Sequence, residues 1–356
     1  MKKAIFHLLA LALVTSTGSL LADEVTLSNG DKVSGEIINT DGGKITVKTE
    51  FMGEVQIDRA GIASIRADAP LNVTLESGET IVGTIDTKGD ELQVKKDDQS
   101  EMALGLESFG AIRNDESQAA WEREQQRLNN PGWLDFWSVA ADLGLAAARG
   151  NADTTTITSG ALIERVTGFD KTTLTFGQIY STQSTTLPAG KTANALTGSA
   201  AYERDINKKL FVYTAATFDY DEFQNLDLRS VLGGGLGAHL IKNDRTTWDA
   251  GVGGNWNREK FSTGLVRNSA ELNIFERSDH QITSVLKLYQ SFTIFPNLSE
   301  SGEYRFRANV GGEVKLNSHL ALTFSALNRY MSNPLAGNKK NDLLFSTGVQ
   351  FTWDQK

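Results

Sequence analysis

Cysteine is absent from the 356 residues, proline occurs five times and methionine four. Without cysteine the chain has no disulfide framework and runs no thiol chemistry. Basic residues are also short: 35 Lys and Arg stand against 44 Asp and Glu, for a net charge of −9 and a pI near 5.1. Nucleic-acid binding needs a basic footprint, so that function class is excluded. Long apolar runs are missing too. Mean hydropathy is −0.28, and beyond the first segment no stretch reaches the roughly eighteen apolar residues of a membrane helix. Strands escape this exclusion, because only every second side chain of a barrel strand meets lipid.

The chain begins with a secretory signal over residues 1–22. Lys2 and Lys3 form its charged start, and residues 5–14 form an apolar core too short to span a bilayer. Leu20-Leu21-Ala22 offers a cleavage site before Asp23, with Leu20 bulkier than usual at its position. This segment is set aside from the fold.

An internal repeat comes next. Val25-Thr26-Leu27 leads to Gly30, Val33, Gly35 and Ile37, and the same pattern returns at Val73-Thr74-Leu75, Gly78, Ile81, Gly83 and Ile85. Ile45-Thr46-Val47 is answered by Leu92-Gln93-Val94, and Ile62 to Arg66 by Phe109 to Arg113. Residues 23–68 and 69–113 are therefore predicted to be two SH3-like or Sm-like β repeats of four or five short strands. Asn29-Gly30 and Ser77-Gly78 mark hairpin turns. A unit of this size has little core of its own, so the copies either pack together or form one pseudo-symmetric module. Two roles fit it: a periplasmic adaptor touching peptidoglycan, an envelope protein or another copy, or a spacer that orients the C-terminal domain. Residues 114–132 form a linker, with helical composition ended by Asn129-Asn130-Pro131-Gly132. This helix is expected to lie under the C-terminal domain, or alternatively to plug it.

Residues 133–356 alternate with period two. Trp248, Ala250, Val252, Gly254 and Trp256 oppose Asp249, Gly251, Gly253, Asn255 and Asn257; Tyr304, Phe306, Ala308 and Val310 oppose Arg305, Arg307 and Asn309. Charges recur in mid-strand, and aromatics such as Trp137, Tyr180, Trp248, Tyr304 and Trp353 gather near strand ends. Connections alternate in length. The short ones are read at 167–171, 205–208, 242–245, 276–279 and 317–318, and the long ones at 181–191, 221–225, 259–266, 296–303 and 331–340. That is the rhythm of an antiparallel transmembrane β-barrel of the outer membrane, with tight turns on the periplasmic rim. About twelve strands fit the length, with ten or fourteen still open. An even number places the N-terminal repeats in the periplasm.

Two stretches resemble a known family. Gly150-Asn151-Ala152-Asp153-Thr154-Thr155-Thr156 looks like its GN-x-[DE]-TT signature. Asp221 to Gly233, with Gly235 and Gly237, looks like its D-x-F-x-x-L-D-L-R block. Together they resemble the domain-of-unknown-function 481 family, the YdiY-like salt-induced outer-membrane proteins. The resemblance covers roughly residues 133–353 and leaves the repeats outside. It implies an outer-membrane barrel of unassigned activity.

No catalytic, cofactor or metal site is predicted. His239, His280 and His319 all fall near the short-turn rim, and no G-x-S-x-G or H-E-x-x-H occurs. Gly190-Lys191-Thr192 mimics the end of a P-loop, but Thr185 stands at its leading glycine. The glycines from Gly233 to Gly237 read as a place of curvature or close backbone approach. Asp86 to Asp90 lacks the last glutamate of a calcium loop and reads as a turn. The lumen carries the one constellation of interest. Its predicted inward acids are Asp142, Glu203, Asp219, Asp227, Asp249, Glu271 and Glu313; its bases are Arg229, Lys287, Arg305, Arg307, Lys315 and Arg329. The signs nearly balance, so these groups either pair and hold the lumen shut or line a weakly selective pore. The expected function is thus a non-enzymatic outer-membrane barrel in contact with lipid, structural or passing small solutes through a narrow pore. An outer-membrane lipid hydrolase and a soluble periplasmic binding protein are the alternatives.

Overall fold

The computed structural model describes residues 22–41, 43–89, 91–105, 109–148, 154–183 and 190–354. The predicted signal, the GN motif before Thr154, Thr185 and Asp90 lie outside the described residues. The chain divides into two compact units, with the boundary between Gln126 and Arg127.

The first unit is a small β domain. Its strands are β1 (Asp23–Leu27), β2 (Lys32–Asp41), β3 (Lys44–Thr49), β4 (Gly53–Asp58) and β5 (Ile62–Leu75). After them come β6 (Thr80–Lys88), β7 (Glu91–Lys95), β8 (Glu101–Gly105) and β9 (Phe109–Arg113). All nine join one sheet, in which β4 and β8 are the two ends of the path. Period-2 alternation sends Val25, Ile37, Ile45, Val47 and their repeat partners Val73, Ile85, Leu92 and Val94 into one shared core. Each such side chain removed from water contributes about 1.5–3 kcal/mol.

The boundary read between residues 68 and 69 runs through the middle of a strand. β5 serves both repeats: Ile62 to Arg66 pair with β1, and Asn72 to Leu75 pair with β9. Between these halves the pairing of β5 with β6 shifts register from Ala67 to Leu71. Two threonines tie the repeats together reciprocally. Thr40 Oγ1 accepts from the Ile112 amide at 2.8 Å. Thr87 Oγ1 accepts from the Ile65 amide at 2.9 Å and donates to the Ile65 carbonyl at 3.0 Å. Helix α1 (Asp115–Asn129) starts where Asn114 Oδ1 accepts from the Ser117 amide at 2.9 Å, as an N-cap should.

The second unit is a closed antiparallel barrel of twelve strands, β10 to β21, sealed where β10 pairs with β21. In order they are β10 (Trp137–Ala148), β11 (Thr154–Val166), β12 (Asp170–Gln183) and β13 (Gly190–Asp205). Next come β14 (Leu210–Asp221), β15 (Leu226–Lys242), β16 (Thr246–Phe261) and β17 (Val266–Gln281). The last four are β18 (Leu286–Pro296), β19 (Tyr304–Lys315), β20 (Leu320–Met331) and β21 (Asn341–Asp354). Both ends of the barrel chain lie on the rim of short turns. One of those turns corrects the sequence reading. The polar run Glu276-Arg277-Ser278-Asp279 is not a turn but the continuation of β17, because Arg277 and Asp279 keep the inward parity of the strand; the chain reverses at 282–285.

The barrel is apolar on its outside. Leu143, Leu145, Phe345 and Phe351 stand 58–73% exposed, and Phe176, Leu236, Val252 and Phe324 share that outward parity. Near the rim opposite the short turns, Tyr330 stacks on Tyr304 and Phe306 with ring centres 5.4 and 5.1 Å away. Side chains of this kind are stable in such numbers only where hydrocarbon covers them. Among the described residues no helix is long and apolar enough to cross a membrane; the strands do the crossing.

Candidate functional site: the barrel lumen

Inward parity brings charge and aromatic rings together inside the barrel. Near the short-turn rim, Arg277 on β17 is the centre of a network reaching four strands. Its guanidinium donates to both Glu203 oxygens at 2.5 Å, on β13, and to Asp249 Oδ2 at 2.8 and 3.0 Å, on β16. Three strands separate β13 from β17, so this contact cuts across the lumen. Asp249 Oδ1 also meets His239 Nδ1 at 2.7 Å, and His239 Nε2 meets Asp205 at 3.1 Å. Both ring nitrogens of His239 are thus held by carboxylates. His280 meets the hydroxyls of Thr246 and Ser278 at 3.3 and 3.2 Å.

Glycines make room for the rings beside that network. A Cβ at Gly237 would strike the Phe211 ring, one at Gly251 the Phe275 ring, and one at Gly253 the Tyr213 hydroxyl. Phe211 is fully buried and lies 4.9 Å from the His239 ring, while Tyr213 meets Phe275 edge-on at 5.3 Å. Within the run from Gly233 to Gly237, the close approach is made by the Phe211 ring at Gly237, by Asn255 at Gly233 and by backbone carbonyls of the neighbouring strands at Gly234 and Gly235.

A second group of pairs lies toward the opposite rim. Arg229 bonds Glu259 at 2.7 Å and stands 3.8 Å from Asp219, which also holds Arg307 at 3.5 Å. Arg305 bonds Glu271 at 2.7 Å and covers the Phe295 ring at 3.6 Å. Arg329 reaches Asp221 at 3.4 Å and Asp342 at 3.7 Å. Back at the short-turn rim, Lys287 bridges Asp279 at 3.1 Å and, at 3.9 Å, Glu313. Removing one partner of such a pair leaves an uncompensated charge in a poorly hydrated place, which costs more than the pair itself contributes.

Three predicted lumen residues stay outside these pairs. Asp227 sits exposed at a bulge, where the register of β15 shifts between Leu226 and Leu228. Lys315 is exposed at the short-turn end of β19. Asp142 faces a cavity of about 500 Å3, lined also by Tyr289, Arg307, Asn309, Glu313 and Gln350. The lumen thus has a side crossed by ion pairs and packed rings, and a side with polar space. Sequence reasoning missed Arg277, Asp205, Asp221 and Glu259. Continuing each strand's parity finds them: Arg277 follows Glu271, Asn273 and Phe275, and Glu259 follows Asn255 and Asn257.

The family model described as "Protein of unknown function, DUF481" matches residues 141–353. No curated protein matches the chain. Among solved structures, the NanC porin is similar at 8% identity over 62% of this chain and 100% of that chain, with a TM-score of 0.37. The translocator domain of the autotransporter NalP from Neisseria meningitidis is similar at 15% identity over 67% and 96%, with a TM-score of 0.35. The β domain of the Bordetella autotransporter BrkA is similar at 13% over 62% and 98%, with a TM-score of 0.32. At these values no functional argument rests on them.

Proposed function

The chain belongs to the DUF481 family through its barrel, and from that premise we propose a non-enzymatic outer-membrane protein with a narrow polar passage and a periplasmic adaptor unit. The observation that carries the reading is the contact of Arg277 with Glu203 across the lumen. A porin built for bulk flow keeps its centre open; here charge pairs and rings take up one side, leaving space suited to small solutes. Planar-bilayer recording of the refolded full chain tests this. Small ohmic steps, enlarged several-fold by Arg277→Ala, are expected. Large steps that Arg277→Ala leaves unchanged would overturn the reading.

A periplasmic position for residues 23–113 is supported by the even strand number, since short turns of such barrels lie on the periplasmic rim. One feature of that unit favours an adaptor over a spacer. Phe51 and Met52, at the tip between β3 and β4, are 90% and 69% exposed. The corresponding turn of the second repeat carries Asp98 and Gln99 instead. An apolar pair kept in water on one copy alone fits a contact with another envelope protein or with peptidoglycan. A photo-crosslinker at Phe51 should capture a partner in cells that one at Asp98 does not; equal capture, or none at either position, would favour the spacer.

A further inference from the structure

The barrel wall has an interruption. β17 runs from Val266, but its pairing with β18 reaches only from Gln281 to Ile274. β18 stops at Pro296, whose nitrogen has no hydrogen to give to a ladder. Beyond it the chain swings across as a loop, held by a single bridge between Glu271 and Asn297 and by the Leu298 amide on the Ala270 carbonyl at 2.8 Å. Behind this loop is a cavity of about 400 Å3, on the rim opposite the short turns. That volume lies in the range of small-molecule sites.

Its lining is rich in carboxamides, hydroxyls and carboxylates, with Phe295, Tyr304 and Met331 beside them. Asn257, Ser269, Glu300 and Asn333 line it with Arg267. Asn257 is 4% exposed. Its amide donates to Glu271 Oε1 at 3.0 Å, while its carboxamide oxygen meets no protein donor. A buried acceptor without a donor costs about 1–3 kcal/mol. Glu271 and Glu259 are already neutralised by Arg305 and Arg229, so Glu300 and Glu303 leave the cavity acidic against Arg267 alone. An anion is disfavoured. Among the described residues no His, Cys, Asp and Glu cluster that could hold a metal ion occurs, so a metal site is not built here.

We propose that this cavity binds a neutral saccharide unit. Sugar hydroxyls donate to carboxylates and to carboxamide oxygens, and accept from carboxamide and guanidinium N–H groups; the lining supplies both kinds. The site is independent of whether the lumen conducts. Its ligand has two sources, a free sugar or the core sugars of lipopolysaccharide.

The test uses the refolded full chain in amine-oxide micelles, since a glycoside detergent would itself compete. Saturation-transfer NMR is run with glucose, galactose and N-acetylglucosamine, with glucuronate as the anionic control, and with core oligosaccharide released from lipopolysaccharide. Saturable millimolar binding of at least one neutral sugar, weaker for glucuronate, is expected. Asn257→Leu should weaken it about tenfold. Ser269→Ala, at a less constrained position, should weaken it severalfold, and heat-modifiable gel migration reports that each variant is folded. Tighter binding of the oligosaccharide than of free sugars identifies lipopolysaccharide as the source; equal or weaker binding identifies a solute. The proposal fails if the folded wild type binds no neutral sugar, if glucuronate binds best, or if both variants bind as the wild type does.

Discussion

At the scale of single residues, Glu222 offers a direct measurement. It lies in the turn between β14 and β15, where its carboxylate accepts from Asn194 Nδ2 and Lys191 Nζ, each at 2.7 Å. Those two hydrogen bonds, Asn194 first, hold its carboxyl below the ordinary glutamate value of 4.5. A carboxyl lowered by folding favours the folded contact above its ordinary value and loses it as pH falls through the lower folded value. The Asn194 side-chain amide resonance should therefore shift with a midpoint below 4.5, and Glu222→Gln should abolish the shift. A midpoint at or above 4.5 would contradict the contact. Residues of this kind were only partly legible in the sequence. Asp142, Arg305 and Glu271 follow from parity within clear strands. Arg277 did not, because four consecutive polar residues look like a turn until the partners that neutralise two of them are known.

Among elements, β5 and the two threonine ties decide how the N-terminal unit is built. Replacing Thr40 by Val leaves the Ile112 amide without its acceptor, and replacing Thr87 leaves both the amide and the carbonyl of Ile65 without partners. Each replacement should lower the stability of this unit by about 1–3 kcal/mol, with Thr87→Val the more costly. Hydrogen exchange along β1 and β5 in urea, on the full chain, measures this; loss at one site alone would mean that the repeats are not reciprocally tied. The repeat itself was plain from spacing. The sharing of β5 was not, because Ala67-Asp68-Ala69-Pro70 carries the composition of a linker and the strand passes through it by a register shift. Helix α1 was legible for the opposite reason. Its composition and its stop are local signals, needing no partner elsewhere in the chain.

For the whole molecule, the twelve strands and the outward apolar face were readable because period two is itself a consequence of a closed sheet in lipid. The alternation of connections holds only in part: 222–225 and 262–265, read within long loops, are no longer than the turns 206–209 and 282–285. The arrangement inside was not readable to the same depth. Which acid meets which base depends on strands far apart in sequence, as Arg277 and Glu203 are, and on rings lying over glycines of neighbouring strands. The central claim is that apolar side chains of the barrel face hydrocarbon and its charges face the axis. Since the chain has no cysteine, one introduced cysteine carries one nitroxide label. Labels on β21 of the refolded protein in lipid bilayers should alternate: Leu343, Phe345 and Val349 relaxed by oxygen, Leu344, Ser346 and Gln350 by a water-soluble nickel complex. Uniform accessibility along the strand, or the opposite phase, would contradict the account.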